Sequence, residues 1–125
     1  MMLLVVAALI YFYVDSLAVK INAADLVSEY YTNQAEAHKK YLNKTLELSG
    51  SVKAYYELSE VGNVLEINDS NEEILLYCFF LNKKDEEKAM LLNQSSTIRL
   101  VGTCSGLKNY EVGKILKFDV NQIKN

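Results

Sequence analysis

The chain has 125 residues, half of them hydrophobic and 23% charged, with a formal net charge of −3. This length predicts one domain after the first twenty residues, and the ordinary composition excludes a disordered or fibrous protein. The small negative net charge excludes a general attraction for polyanions.

The chain begins with an uncharged apolar run, "MMLLVVAALIYFYV", which ends at Asp15. A membrane-spanning helix needs about 20 apolar residues, so a span requires residues 16–19 as well. We interpret residues 1–19 as a membrane anchor or signal segment and favour an anchor that holds an exported domain on the periplasmic side. The alternatives are a signal peptide cleaved after Ala18 and a buried helix of the domain. Lys20 favours the opposite orientation, so the orientation stays open.

A leading helical segment is predicted over residues 22–42, with Asn22 as the cap of a helix that runs to Tyr41. Acidic residues come early in this segment and basic residues late, as the helix dipole prefers. Apolar residues recur at helical spacing, namely Leu26, Tyr30, Ala37 and Tyr41.

The first strand of residues 43–125 carries a glycine where a packed side chain is expected. In "TLELSGSVKAYY" apolar residues, among them Leu46, Leu48, Val52 and Ala54, alternate with polar ones, and Gly50 falls in the apolar phase. Glycine costs a strand interior about 0.5–1 kcal/mol relative to alanine and often marks a bulge or bend. We therefore predict that this strand bends sharply at Gly50.

Four further strands follow. The second contains Leu65 and Ile67, the third runs from Ile74 to Phe80, and a short helix capped by Asp85 comes next. The fourth strand is "TIRLVGTC", "SGLKNYEVG" reads as a loop, and "KILKFDVNQI" is the fifth strand.

The fourth strand repeats the pattern of the first, because Gly102 interrupts the inward series Ile98, Leu100 and Cys104. Two inward glycines predict a small barrel, since closing a short sheet requires strong local bending. Five strands with a helix between the third and fourth is the order of the OB-fold. We predict a mainly β protein with some helix: a five-stranded OB-fold barrel preceded by an N-terminal helix and an apolar membrane segment. The alternative is an open five-stranded α+β sandwich.

Short motifs along the chain resemble the tRNA-anticodon-like family of small OB-fold proteins, which are often lipoproteins or anchored envelope proteins of bacteria. The resemblance covers most of residues 24 to 120. The matching residues are Ala37, Lys40, Tyr41, Lys44, Gly50, Val52, Cys78, Gly102, Cys104 and Gly106. The resemblance implies the fold, the envelope location and structural glycines at 50, 102 and 106, and it carries no catalytic residue over.

Cys78 and Cys104 fall on predicted strands that reach the barrel, so we expect both to be buried. An even cysteine count in an exported domain suggests a disulfide, and two packed free thiols are the open alternative. With His38 as the single histidine, the ligand set for a metal is poor. We expect no metal and no cofactor, with His38 on a solvated surface.

A ligand-binding face is predicted where OB-folds bind ligands, on the second and third strands and the neighbouring loops. The candidate residues are Tyr55, Tyr56, Tyr77, Phe79 and Tyr110, and their alternative role is packing in the core and rim. Residues 57 to 73 contain six acids and no Lys or Arg, so this region would repel phosphates.

No catalytic constellation is visible, because one histidine without a nucleophile motif gives no triad. We therefore predict a noncatalytic binding module of the bacterial envelope. The expected partners are the membrane, through the N-terminal segment, and an unknown protein, glycan or small-molecule ligand. The alternative function is binding of single-stranded nucleic acid, which the charges disfavour.

Overall fold

The computed structural model describes residues 18–59, 61–69, 71 and 73–124. The strands are β1 Val19–Asn22, β2 Thr45–Leu58, β3 Gly62–Ile67, β4 Ile74–Phe80, β5 Thr97–Tyr110 and β6 Gly113–Lys124. The helices are α1 Ala23–Thr32, α2 Gln34–Tyr41 and α3 Lys83–Met90.

Five strands close into a ring. They are hydrogen-bonded in the order β2–β3–β4–β6–β5, and β5 pairs back onto β2. Within the ring only β4 and β6 run parallel; the other neighbours are antiparallel. Counted along the chain, α3 lies between the third and fourth strands of the ring, β4 and β5. A closed ring with a helix in this place is OB-like and excludes the open sandwich.

Strand β2 belongs to both sides of the ring. Residues 45–51 pair with β5, and residues 52–58 pair with β3. The change of partner comes between Ser51 and Val52, one residue beyond Gly50, and a register shift follows between Val52 and Ala54. A Cβ on Gly50 would lie 2.6 Å from Cγ2 of Ile67 and 3.2 Å from Cβ of Ala23. Glycine therefore lets β3 and α1 pack closely against β2 where it changes sides.

A sixth strand precedes the ring and was absent from the sequence prediction. Strand β1 runs parallel to the first half of β2, with Ile21 opposite Leu48. Its four residues are too few for a visible alternation, and Val19 had been assigned to the apolar segment. The remainder of that predicted segment, residues 1–17, lies outside the described residues. Within the described part of the chain, no helix has the length and apolar character needed to cross a membrane.

The leading segment contains two helices where one was predicted. Asn22 caps α1, as expected, by accepting a hydrogen bond from the backbone N–H of Asp25. Asn33 then takes an extended conformation and its side chain accepts from the N–H of Glu36, which starts α2. An asparagine that bonds to nearby backbone competes with a continuous helix. The predicted inward residues Leu26, Tyr30, Ala37 and Tyr41 are all buried.

Helix α3 is capped one turn earlier than predicted. Asn82 has an extended backbone and accepts from the N–H of Asp85, while the Asp85 carboxylate accepts from Nδ2 of Asn82 at 2.7 Å. Asp85 is therefore the reciprocal partner inside the first turn, and Asn82 is the cap.

Strand β5 continues through residues that were predicted to form a loop. A register shift between Cys104 and Gly106 bulges Ser105 out of the ladder, and Gly106 has φ +83°. Glycine adopts this conformation without steric cost, so pairing with β6 resumes and extends to Tyr110. A Cβ on Gly106 would also lie 3.1 Å from Nε2 of His38, on α2.

The two cysteines are buried, as expected, and are free thiols, so the second of the two alternatives left open by the sequence, packed thiols without a disulfide, is the one found. Phe118 on β6 is the register partner of Cys78 on one side and of Cys104 on the other. Two strand spacings of about 4.8 Å separate the cysteines by roughly 10 Å, which is beyond the reach of a disulfide. Burial raises the pKa of both thiols.

We expect neither thiol of the native protein to react with a thiol reagent, because the reactive thiolate is suppressed by burial. Titration with a chromogenic disulfide reagent should find no reactive thiol in the folded protein and two after denaturation without reductant. A protein that yields no thiol after denaturation would instead contain the disulfide.

Candidate ligand-binding face

The bulge in β2 decides which tyrosines face outward. Val52, opposite Ile67, packs in the barrel interior, and the register shift at Lys53 brings Tyr55 to the same interior side. Tyr56 consequently points outward. Without the bulge, the alternation predicted from the sequence would have placed Tyr56 inside and Tyr55 outside.

A second apolar cluster lies on the outside of the ring, across β2, β3, β4, β6 and the end of β5. Its buried members are Val64, Tyr77 and Ile115, and the partly buried residues packed against them are Tyr56, Leu58, Val61, Leu75, Phe79 and Tyr110. We call the partly exposed rings of this cluster, Tyr56, Phe79 and Tyr110, the aromatic face. Four of the five predicted site residues therefore come together in this cluster.

Tyr77 supports the aromatic face from beneath. It is only 4% exposed, and its ring centroid lies 6.3 Å from that of Tyr56 with 39° between the planes. Burial, and then the nearby Glu66 carboxylate, raise the pKa of its phenol. Tyr77 therefore has too little exposed surface to stack on a ligand.

Tyr55 does not belong to this face. Its ring packs against the barrel core, and its hydroxyl donates a hydrogen bond to Oε1 of Glu86 on α3 at 3.3 Å. It contributes to the attachment of α3, so Tyr55 takes the alternative role of packing in the core and lies apart from the other four candidates.

Three cations border the aromatic face. Lys108, exposed and opposite Ile115, shares the outward phase of Tyr110, and the other two each lie beside an acid. Lys53 Nζ is 3.2 Å from Oε2 of the buried Glu66, and the hydrogen bond to Glu66 raises the pKa of Lys53. Lys117 Nζ lies 5.1 Å from the centroid of the Phe79 ring and 3.7 Å from Oδ1 of Asp119. Within each pair the two charges neutralise each other, so Lys108 is the cation of the three for which no ion pair is found within the described residues.

The acids counted along the sequence are spread over both sides of the sheet. Glu57 shares the phase of Tyr55 and lies on the side away from Tyr56, whereas Glu66 forms an ion pair with Lys53. Burial raises the pKa of Asp69, which lies near both members of that pair. The face therefore repels phosphates less than the one-dimensional charge count implied.

Lys117 is the residue that sequence reasoning missed. The inward series Leu116, Phe118 and Val120 already placed Lys117 on the outside of β6. The parallel pairing of β4 with β6 sets Lys117 opposite Tyr77. Combining the predicted strand order with that alternation would have placed a cation on this face.

His38 is less solvated than predicted. Its Nε2 is buried against Gly106 and has no hydrogen-bond partner among the described residues. The ring meets that of Tyr30 edge-on at 5.2 Å. The hydroxyl of Tyr30, on α1, in turn contacts Sγ of Cys104 at 3.4 Å, so these side chains connect α2 through α1 to β5. Within the described ranges, no group of three or more metal-ligating side chains converges.

An open groove of about 530 Å³ lies elsewhere, between α1 and α2. Tyr41 donates a hydrogen bond to Glu29 in this region, and Lys40 lies 2.8 Å from the same carboxylate. Burial acts to raise the pKa of Glu29, but the hydrogen bonds from Lys40 and Tyr41 outweigh it and lower that pKa. The polar groups of the groove thus satisfy one another.

Comparison with known proteins supports the fold. A crystal structure of a "putative nucleic acid-binding lipoprotein" from Klebsiella pneumoniae aligns with a TM-score of 0.59 and 14% identity, over 86% of this chain and 92% of that one. An asparaginyl-tRNA synthetase from Pyrococcus horikoshii aligns with a TM-score of 0.48 and 20% identity, over 68% of this chain and 20% of that one. None of the curated proteins compared with this chain matches it.

The family assignment rests on a match along most of the sequence. The family model described as tRNA_anti-like matches residues 7–116, which include four strands of the ring in full and the start of β6. The chain therefore belongs to the tRNA_anti-like family.

Proposed function

We propose that this protein is a noncatalytic OB-fold module that binds its ligand on the aromatic face. The observation that carries the proposal is the cluster outside the barrel, where Tyr56, Phe79 and Tyr110 are partly exposed on a buried base. Rings held in fixed positions lose little conformational entropy on binding, so they offer contact area at low cost.

The charges favour an uncharged ligand with flat apolar surfaces. Lys53 and Lys117 are each paired with an acid, so a phosphate would have to compete with Glu66 and Asp119 for them. OB-folds bind oligosaccharides as well as oligonucleotides, and the apolar faces of sugar rings suit such a surface. An apolar small molecule or a protein side chain would use the same rings.

Single-stranded nucleic acid is the second candidate, and Lys117 is the observation that favours it. A cation above Phe79 beside further rings is the combination that single-strand binders use. The Klebsiella protein is named for nucleic acid binding. Stacking contributes about 1–3 kcal/mol per base, but the paired cations leave few charges for phosphates, so we expect weak, salt-sensitive binding.

We expect Tyr56→Ala and Tyr110→Ala each to weaken ligand binding about fivefold or more, since each removes about 1–3 kcal/mol of stacking. Binding of the detergent-solubilised full chain to fluorescent oligosaccharides and oligonucleotides can be followed by anisotropy. Tyr31→Ala is the matched control, because Tyr31 is 56% exposed on α1 and is not part of the aromatic face. Equal losses in all three variants, or none in the two face variants, would contradict the proposed site.

We further propose that residues 1–19 anchor the domain at the bacterial envelope. The apolar sequence of residues 1–14 and the lipoprotein description of the Klebsiella protein support this. A tagged chain should fractionate with membranes and resist carbonate extraction. Recovery of the intact chain in the soluble fraction would contradict the anchor.

A further inference from the structure

The outer surface opposite the aromatic face is basic, although the whole chain is acidic. It is formed by β1, the first half of β2, β5 and the end of β6. Three cations, Lys20, Arg99 and Lys124, surround a single acid, Glu47. We call these four residues the basic face.

The strand registers place these residues side by side. Lys20 is opposite Glu47 across β1 and β2, and Arg99 is opposite Lys124 across β5 and β6. Their chain neighbours Ile21, Leu48, Leu100 and Ile123 pack into the core, so the four charged residues are on the outer side of the sheet.

Glu47 is already neutralised. Its carboxylate is largely buried and lies 3.1 Å from Nζ of Lys124. Asp119, which borders the face opposite Thr103, accepts from Ser105 and lies near Lys117. Lys20 and Arg99 are exposed, and no ion pair of either is found within the described ranges, so their charges are available to an external anion.

We propose that the basic face docks onto an anionic phospholipid surface. Lys20 follows the apolar N-terminal run by six residues and lies in the basic face itself. The inference rests on the proposed anchoring of residues 1–19, which would hold this face within reach of lipid headgroups. Each lysine or arginine near an anionic membrane adds a modest attraction. So small an attraction is sufficient here because a tether makes docking intramolecular.

Docking in this orientation directs the aromatic face away from the membrane. In the ring, β3 and β4 lie across the barrel from β5, so contact through Arg99 leaves Tyr56 and Phe79 facing solvent. The fold would then separate a membrane-facing side from a ligand-facing side.

The test uses the full chain in phosphatidylcholine vesicles with and without phosphatidylglycerol. Gln122→Cys places a thiol beside the basic face, opposite Val101, and Val112→Cys places one in the β5–β6 turn next to the aromatic face. The native cysteines are buried, so a fluorophore labels only the introduced thiol. A lipid carrying a headgroup quencher reports proximity to the bilayer.

We expect quenching of the label at position 122 only when phosphatidylglycerol is present, and little quenching at position 112 in either vesicle. The double variant Lys20→Glu, Arg99→Glu should lower the ratio of docked to undocked protein at least about tenfold. Lys83→Glu, Lys84→Glu on α3 is the matched control and should leave the ratio unchanged.

Flotation with neutral vesicles separates this inference from the anchor. Suppose that the chain floats with neutral vesicles and that quenching at position 122 is the same with and without phosphatidylglycerol. This result would overturn the docking face and support the anchor. A chain that floats only with phosphatidylglycerol, through Lys20 and Arg99, overturns the anchor and supports the face. Quenching that survives the double charge reversal also overturns the face.

Discussion

Gly102→Ala should destabilise the domain by about 3 kcal/mol or more, which is the upper end for added volume in a packed site. A Cβ at this position would lie 2.1 Å from the carbonyl oxygen of Asp119 and 3.0 Å from the Phe118 ring. Backbone atoms cannot move aside as a side chain can, so β6 itself would have to shift. Chemical denaturation followed by circular dichroism measures the loss.

The neighbouring substitution Thr103→Ala is the control, because Thr103 lies outward on β5 and is partly exposed. We expect a much smaller loss there. A Gly102→Ala protein as stable as the parent would mean that β6 does not cross β5 as closely as described. A variant recovered only as insoluble protein would agree with the prediction if Thr103→Ala remains soluble.

Gly50→Val should cost about 2 kcal/mol, within the usual range for overpacking. The added Cβ would meet the methyl Cγ2 of Ile67 at 2.6 Å and Cβ of Ala23 at 3.2 Å, and the valine methyls need further space. Gly50→Ala should be milder, because the nearest obstacle is the end of a side chain. Denaturant melts of both variants measure the difference.

Ile67→Ala supplies the control for this clash. Removing the obstructing methyl should make Gly50→Ala less costly than in the parent, so the two substitutions should couple favourably in a double-mutant cycle. Purely additive losses would show that β3 does not crowd Gly50, and the role assigned to this glycine would be lost.

The sequence was sufficient to predict the ring but not its irregularities. Hydrophobic alternation and the two inward glycines led to the OB-like order, and the third strand, Ile74 to Phe80, has the predicted bounds. No glycine marks the bulge at Lys53 in the sequence. The bulge accompanies the change of partner from β5 to β3, which a sequence pattern does not show. Strand β1 was not predicted because four residues are too few to show a periodicity. Its extended conformation depends on pairing with β2.

The sequence predicted which residues belong to the candidate site better than it predicted how exposed each of them is. Tyr56, Tyr77, Phe79 and Tyr110 could be grouped once the fold order was assumed, and the structure places them in one cluster. Whether each ring is exposed depends on packing from neighbouring strands, so the burial of Tyr77 and the inward position of Tyr55 were beyond a one-dimensional pattern. The pairing of Lys53 with Glu66 likewise depends on cross-strand register.

The most direct test of the account is a map of ligand contacts by nuclear magnetic resonance. Isotope-labelled full chain in detergent micelles would be titrated with soluble oligosaccharides and with short single-stranded oligonucleotides. We predict that the shifted resonances cluster on Tyr56, Phe79, Tyr110 and Lys117, with the larger changes for an oligosaccharide. Shifts confined to the groove between α1 and α2, at residues such as Thr32 and Glu36, would contradict the claim that the aromatic face binds the ligand.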